Sequence, residues 1–186
     1  MKTIITTLTI IFLAGALPDL NAQEILHAAT GTVTNNGHIK QSLNIQKSDQ
    51  SSEVFEVAKS SPAPVTLDKA FQKDTEAVDK LPKGTSHVIV YYYGLSPEIA
   101  IAVENIGDKV LSITGRVSHV DKKQHTVAIR VDRGTESVCS VESGTAVETS
   151  DGVKDGAKNY PSDGDRVTAV CTEEAGKEAA RFIKIL

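Results

Sequence analysis

Tryptophan is absent from this sequence, and the other aromatic residues are few, with four Phe and four Tyr in 186 residues. Because 40% of the chain is nevertheless apolar, any hydrophobic core must consist mainly of aliphatic side chains. The single methionine is Met1. Cu(I) prefers soft thioether and thiolate ligands, so the lack of internal methionine excludes thioether-based copper binding.

A strong excess of positive charge is also missing, since the formal net charge is -4 at pH 7. The whole molecule therefore has no general electrostatic attraction to nucleic acid or to an anionic membrane. A local basic patch remains compatible with this balance. Nucleic acid is disfavoured as a partner on these grounds.

Long apolar runs are confined to the N-terminus. Lys2 is followed by an uncharged run from Ile4 to Leu17, and small residues precede Gln23. This order is typical of a secretory signal peptide, and the run is shorter than the roughly 20 residues of a membrane-spanning helix. We expect residues 1–22 to be a signal peptide cleaved after Ala22, with Ala16 as the alternative, and the mature protein to be secreted or periplasmic and not membrane-spanning.

Cysteine occurs only twice, at Cys139 and Cys171. Disulfides persist in exported proteins, and two cysteines allow one intramolecular bridge. Neither lies in a Cys-x-x-Cys motif. The sequence therefore predicts a structural disulfide between Cys139 and Cys171.

An internal repeat sets the expected architecture. Thr30-Gly31-Thr32-Val33-Thr34 recurs 84 positions later as Thr114-Gly115-Arg116-Val117-Ser118. In the same register Val54 meets Val138, and with a changed offset Val88 meets Val167. Such self-similarity is typical of tandem structural units. It predicts two copies of one domain, residues 27–106 and 110–186.

Each copy contains five segments with the alternation and β-branched content of short strands. In the first copy an apolar helical stripe, formed by Leu67, Ala70, Phe71 and Val78 within residues 66–80, separates the third segment from the fourth. Three strands, a helix and two strands follow the order of an OB-type barrel. We therefore expect a mainly β fold of two tandem OB-like five-stranded barrels. The second copy has no such stripe, and residues 148–159 are predicted to be a loop or a weak turn.

The repeat also aligns the cysteines with aromatic residues. Cys139 corresponds to Phe55 and Cys171 to Tyr92. A bridge in the second copy would then take the place of an aromatic pair in the first.

The second copy carries the motifs Gly115-x-Val117-x-x-Val120-Asp121, Thr126-Val127-x-Ile129, Gly164-Asp165-x-Val167 and Phe182-Ile183-x-Ile185. In these it resembles small OB-like barrel domains of bacterial envelope proteins that are known only as domains of unknown function. The resemblance covers the second copy well and the first loosely. It implies a periplasmic or secreted β-barrel module and no particular reaction.

Three groups of residues are candidates for binding. His119 and His125 flank a predicted turn and could form part of a metal site. A candidate basic face is formed by Arg116, Lys122, Lys123, Arg130 and Arg133. Tyr91, Tyr92 and Tyr93 end a strand that is apolar on both faces, which predicts burial between the copies or at a partner interface. We favour burial within the chain.

These observations lead to a hypothesis of a non-enzymatic, exported binding or structural module of the cell envelope, without a cofactor, whose partner is an unknown envelope protein or small ligand. The alternative is a periplasmic protein that binds a metal or small ligand through His119 and His125. A hydrolase ranks third, since no motif places a nucleophile beside a base.

The first testable prediction concerns export. Intact-mass measurement of secreted protein should give a chain that begins at Gln23, because the uncharged run ends at a small-residue cleavage site. Recovery of secreted chains that retain residues 1–22 would contradict this.

Overall fold

The computed structural model describes residues 25–35, 42–57, 67, 69–73, 75–78, 81, 86–94, 97–132, 134–174 and 176–186. The predicted signal peptide, residues 1–22, lies outside them. The secondary structure of the described residues is β1 (His27–Asn35), β2 (Ser42–Gln46), β3 (Ser52–Val57), α1 (Lys69–Gln72), β4 (His87–Tyr93), β5 (Ile99–Gly107), β6 (Val110–Asp121), β7 (Thr126–Arg130), β8 (Glu136–Ser140), β9 (Ala146–Thr149), β10 (Gly152–Asp155), β11 (Arg166–Glu174) and β12 (Lys177–Ile185).

The first five strands form a closed barrel with the order β1-β2-β3-β5-β4. β3 and β5 run parallel, and the other neighbours are antiparallel. Alternate residues of each strand point inward, as the period of two requires. The interior is filled by aliphatic side chains and one Phe, chiefly Val33, Leu43, Ile45, Phe55, Val88, Val90 and Val103. We call this unit the first barrel.

The remaining strands form a sheet of order β10-β9-β12-β11-β6-β7-β8. β12 also pairs in parallel with β8, through Ala179 and Ser140. The ring β6-β7-β8-β12-β11 therefore repeats the strand order of the first barrel. We call this ring, together with the attached strands β9 and β10, the second barrel. Its interior consists mainly of Ile113, Val117, Val127, Ile129, Val141, Val167 and Ile183. The predicted mainly β architecture of OB-like barrels is confirmed.

The repeat has a stereochemical basis in the first strand of each barrel. A Cβ atom on Gly31 would collide with the carbonyl oxygen of Gln46, and one on Gly115 would collide with that of Arg130. These pairs are each related by 84 positions. Close approach of neighbouring backbones at a strong barrel bend requires glycine, which explains why both copies contain it.

A β-bulge follows each of these glycines. The pairing register shifts after Val33 in β1 and after Val117 in β6. At the shift, the hydroxyl of Thr34 donates to the carbonyl of Asn44 at 3.4 Å, and that of Ser118 donates to the carbonyl of Ala128 at 3.2 Å. A bulge bends the strand and increases its twist. The repeated motif therefore encodes the bend that closes each barrel.

The predicted helix between the third and fourth strands of the first copy is confirmed, but it is shorter than the apolar stripe over residues 66–80. α1 is a single turn, Lys69–Gln72, and Phe71 is its buried residue. Farther along, the backbone N–H of Glu76 donates to the carbonyl of Val103 at 2.8 Å, and the N–H of Val103 donates to the carbonyl of Glu76 at 2.9 Å. Pairing with β5 therefore replaces helical hydrogen bonds in this segment. The apolar residues of the stripe are nevertheless buried, since Leu67, Phe71 and Val78 all lie in hydrophobic cores.

The predicted loop or weak turn over residues 148–159 is wrong in part. β9 and β10 form a hairpin in which Gly152, the first residue of β10 after the turn, has a φ of +94°. β9 then pairs in parallel with β12, from Ala146 opposite Phe182 onward. These strands have four residues each, too few for an alternating pattern to be recognised. β9 is therefore stabilised by hydrogen bonding to the edge of β12, and not by the strand propensity of its own residues.

The two barrels pack together through a third hydrophobic cluster, which we call the junction. The first barrel and its helical turn contribute Ala28, Leu67, Phe71, Ile89 and Tyr91, and the second contributes Ala146, Val170 and Phe182. Ala146 belongs to the hairpin and Val170 and Phe182 to the outer face of the sheet. Apolar burial stabilises by roughly 25 cal/mol per Å², so the junction favours one fixed arrangement of the barrels.

Two buried carboxylates lie at the junction, one from each barrel. Glu148 accepts from the imidazole Nδ1 of His27 at 2.8 Å and from the backbone amide of Ala28 at 2.9 Å. Glu104 accepts from the hydroxyl of Tyr91 at 3.3 Å and from the guanidinium of Arg181, whose Nε lies at 3.1 Å. Both carboxylates are nearly inaccessible to solvent, at 2% for Glu104 and 6% for Glu148. Each barrel thus provides the groups that satisfy a buried charge of the other.

A prediction follows for the Arg181–Glu104 pair. Arg181→Ala should lower the free energy of unfolding by about 2 to 3 kcal/mol, because it removes a guanidinium that binds the buried Glu104 carboxylate. Urea unfolding measures this loss. Arg130→Ala is the matched control: its pair with Glu136 is solvent-exposed at 3.5 Å and should contribute less than about 1 kcal/mol. Equal losses in the two variants would contradict the role assigned to Glu104.

Candidate binding face

The two cysteines lie side by side inside the second barrel, Cys139 on β8 and Cys171 on β11, and both are buried. The structure contains them as free thiols, so the predicted disulfide is not formed in it. A hydrogen bond with Cys139 and burial raise the pKa of the Cys171 thiol. The Cys139 thiol donates to the carboxylate of Glu178 at 3.7 Å. Since the thiolate is the reactive form, Cys171 is a poor nucleophile.

The equivalent positions of the first barrel hold an aromatic pair. The ring centroids of Phe55 and Tyr92 are 4.9 Å apart, and the imidazole centroid of His27 lies 5.6 Å from that of Tyr92. Burial, followed by the nearby carboxylate of Glu53, raises the pKa of the Tyr92 phenol. The thiol pair and the aromatic pair therefore fill the same space in the two copies.

A cleft of about 410 Å³ lies at the open end of the second barrel, beside Cys171. Its lining mixes apolar side chains, such as Leu111, with charged residues of both signs, such as Glu173 and Lys177. Because the charges oppose one another, the cleft favours no ligand of one charge.

The candidate histidines have different surroundings. His119 lies opposite Ala128 across β6 and β7. His125 is in the turn before β7, with a φ of +55°, and its Nδ1 lies 2.7 Å from the hydroxyl of Tyr160. Among the described residues no contact joins the two imidazoles, and no group of three His, Cys, Asp or Glu side chains is placed to hold a metal ion.

The three tyrosines of β4 point to both sides of the first barrel wall. Tyr91 and Tyr93 are buried, and Tyr92 is half-buried. Tyr91 packs against Phe71 with ring centroids 5.2 Å apart and belongs to the junction. This strand is therefore covered by the chain itself.

The predicted basic face separates into parts. Lys122 and Lys123 are exposed in the turn between β6 and β7, whereas Arg133 lies outside the described residues. Arg116 and Arg130 are direct cross-strand partners on β6 and β7, and both are exposed. Arg116 is also the direct partner of Arg166 on β11. Arg130, Arg116 and Arg166 thus form a line across three adjacent strands, which we call the arginine row.

The contacts of the arginine row are few. Arg130 lies 3.5 Å from Glu136, and Nη1 of Arg116 donates to the carbonyl of Gly164 at 3.0 Å. Within the described ranges, no carboxylate lies within 4.0 Å of the guanidinium of Arg116 or Arg166. The row is therefore a concentrated positive charge on a protein of net negative charge.

Arg166 was missed by sequence reasoning, because it lies far along the chain from the other basic residues. The repeat contained a usable signal. In the first barrel Thr32 pairs with both Gln46 and His87. In the repeat, Thr32 corresponds to Arg116, Gln46 to Arg130 and His87 to Arg166. Strand pairing in one copy thus identifies the neighbours in the other.

No family model matches the sequence, and no curated protein matches it. The part of the chain that the structure describes contains no helix long and apolar enough to cross a membrane. Function is therefore inferred from the geometry of the barrels.

Proposed function

We propose that this protein is an exported, non-enzymatic binding module of the cell envelope, and that the arginine row is its binding face. The observation that carries the proposal is the direct cross-strand pairing of Arg130, Arg116 and Arg166 on one exposed sheet face. Like charges directly opposite one another in a sheet are destabilising. An anionic ligand would remove this repulsion.

The first barrel supports this interpretation, because it has the same strand order without the charges. Its corresponding residues are Gln46, Thr32 and His87, and the hydroxyl of Thr32 lies 3.3 Å from Nδ1 of His87. Burial lowers the pKa of His87, which favours its neutral form. Three arginines are therefore no requirement of the fold, and their position calls for a role outside folding.

Two observations support binding over catalysis. Both barrel interiors are filled by apolar side chains, so a ligand must bind on an outer surface. The Cys171 thiol, which is the nucleophile type most easily activated, has a raised pKa instead of a lowered one.

To test the proposed function, the purified protein would be mixed with cell-envelope material of its source organism and sedimented. We expect wild type to sediment with the envelope and Arg116→Ser/Arg130→Ser/Arg166→Ser to stay in solution. The charge-matched control is Lys122→Ser/Lys123→Ser/Lys158→Ser, which removes three exposed cations outside the row and should sediment like wild type. Equal sedimentation of all three proteins would contradict the proposal.

We further propose that Cys139 and Cys171 form a disulfide after export. The two thiols would lose two protons and two electrons to an oxidising disulfide, and the contact between them supports this step. Non-reducing alkylation and mass measurement of exported protein should find no free thiol. Cys139→Ala/Cys171→Ala should lower the free energy of unfolding of the exported protein by about 2 to 5 kcal/mol. As a control, the free energy of unfolding of the same double variant is compared with that of wild-type protein whose cysteines are reduced. Two free thiols in the exported protein would refute the bridge.

A further inference from the structure

We propose that the ligand of the arginine row is an acidic polysaccharide whose sugars carry sulfate or phosphate esters. This inference rests on the proposed function and names the ligand class of the same face. It depends on the spacing of the arginines and on the side chains that border them.

The arginine row is suited to several anionic groups in a line. Directly opposite residues of antiparallel strands have Cα atoms roughly 4.5 to 5.5 Å apart, so the row extends across about 10 Å of sheet. Each guanidinium presents a planar fork that can bind a sulfate or phosphate group through two parallel hydrogen bonds. A chain with successive ester groups could lie across the strands and engage more than one arginine.

The row next to the arginines carries hydroxyl groups. Thr114 and Thr168 are direct cross-strand partners, and their hydroxyls lie 3.0 Å apart. Lys184 follows Thr168 in the same row and is exposed. Same-face rows are separated by about 7 Å along the strands. Hydroxyls that donate and accept at this distance from the arginines suit the hydroxyl groups of a sugar ring.

The same face lacks what two other anionic partners would use. Single-stranded nucleic acid is bound by aromatic side chains that stack on bases, and neither row contains one. Membrane surfaces are bound by basic residues combined with apolar anchors. Val170 and Phe182 of this face are buried in the junction. The exposed apolar side chains near the row are Leu186, beside Arg166, and Val138, on β8 next to the strand of Arg130. They lie at opposite ends of the row and form no continuous apolar patch beside it.

The junction also holds the binding face in place. Val170 lies on β11 four residues beyond Arg166, so one end of the outer face is packed against the first barrel while the other end carries the arginines. A face fixed before binding loses little conformational freedom on association, which favours affinity.

The test measures binding of full-length mature protein to defined probes by fluorescence anisotropy. The probes are a heparin hexasaccharide, its chemically desulfated form, single-stranded DNA and vesicles of phosphatidylcholine with phosphatidylglycerol. The proteins are wild type, the triple arginine variant and the triple lysine control described above. Circular dichroism and thermal melting establish that each variant is folded.

We expect wild type and the lysine control to bind the sulfated hexasaccharide, with affinity falling as salt is raised. Loss of three arginines should weaken this binding on the order of 100-fold, and desulfation should abolish it. Thr114→Val/Thr168→Val should weaken binding to the saccharide while leaving binding to inorganic sulfate unchanged.

Three results would overturn the inference. Binding of the saccharide that is equal in wild type and the arginine variant would exclude the row as its site. Tighter, arginine-dependent binding to the vesicles or to the DNA would assign the row to a membrane or to nucleic acid instead. If envelope sedimentation still depends on the arginines in these cases, the proposed function stands and the ligand class alone is wrong; if it does not, both fail.

Discussion

The rest of this structure depends on two buried carboxylates, one from each barrel, each of which is bound by groups of the other barrel. Glu148 of the second barrel is held by His27 and Ala28 of the first, and Glu104 of the first is held by Arg181 of the second. A buried charge that loses its partners is strongly unfavourable. Separation of the barrels would remove the partners that each barrel provides to the carboxylate of the other. The junction thereby converts two small barrels into one unit with a fixed outer surface.

Divergence between the two copies follows from this shared junction. In the first barrel a helical turn places Phe71 at the junction, whereas in the second the β9–β10 hairpin places Ala146 and Glu148 there. The amide of Val153 in β10 donates to the carbonyl of Leu26, directly before β1, at 2.8 Å. The segment between the third and fourth strands therefore differs between the two copies. In each copy it contacts the other barrel and is not needed to close its own barrel.

The outer face of the second barrel serves two purposes along its length. Near the first barrel it is apolar and buried, at Val170 and Phe182. Two rows away it is basic and exposed, at Arg116 and Arg166. Strand pairing fixes the register of both ends together, since a shift of one residue would turn every side chain to the opposite face. Packing at the junction and presentation of the arginines are consequently set by the same hydrogen-bond ladder.

The sequence by itself determined the repeat, the five barrel strands of each copy and the correspondence of Cys139 and Cys171 with Phe55 and Tyr92, because these depend on local alternation and on spacing. Only the tertiary structure decided the elements that depend on distant partners. Glu76 pairs with Val103 in place of a longer helix, and β9 forms on the edge of β12. Arg166 joins Arg116 across 50 residues of chain, because antiparallel pairing, and not nearness in sequence, decides which side chains share a face.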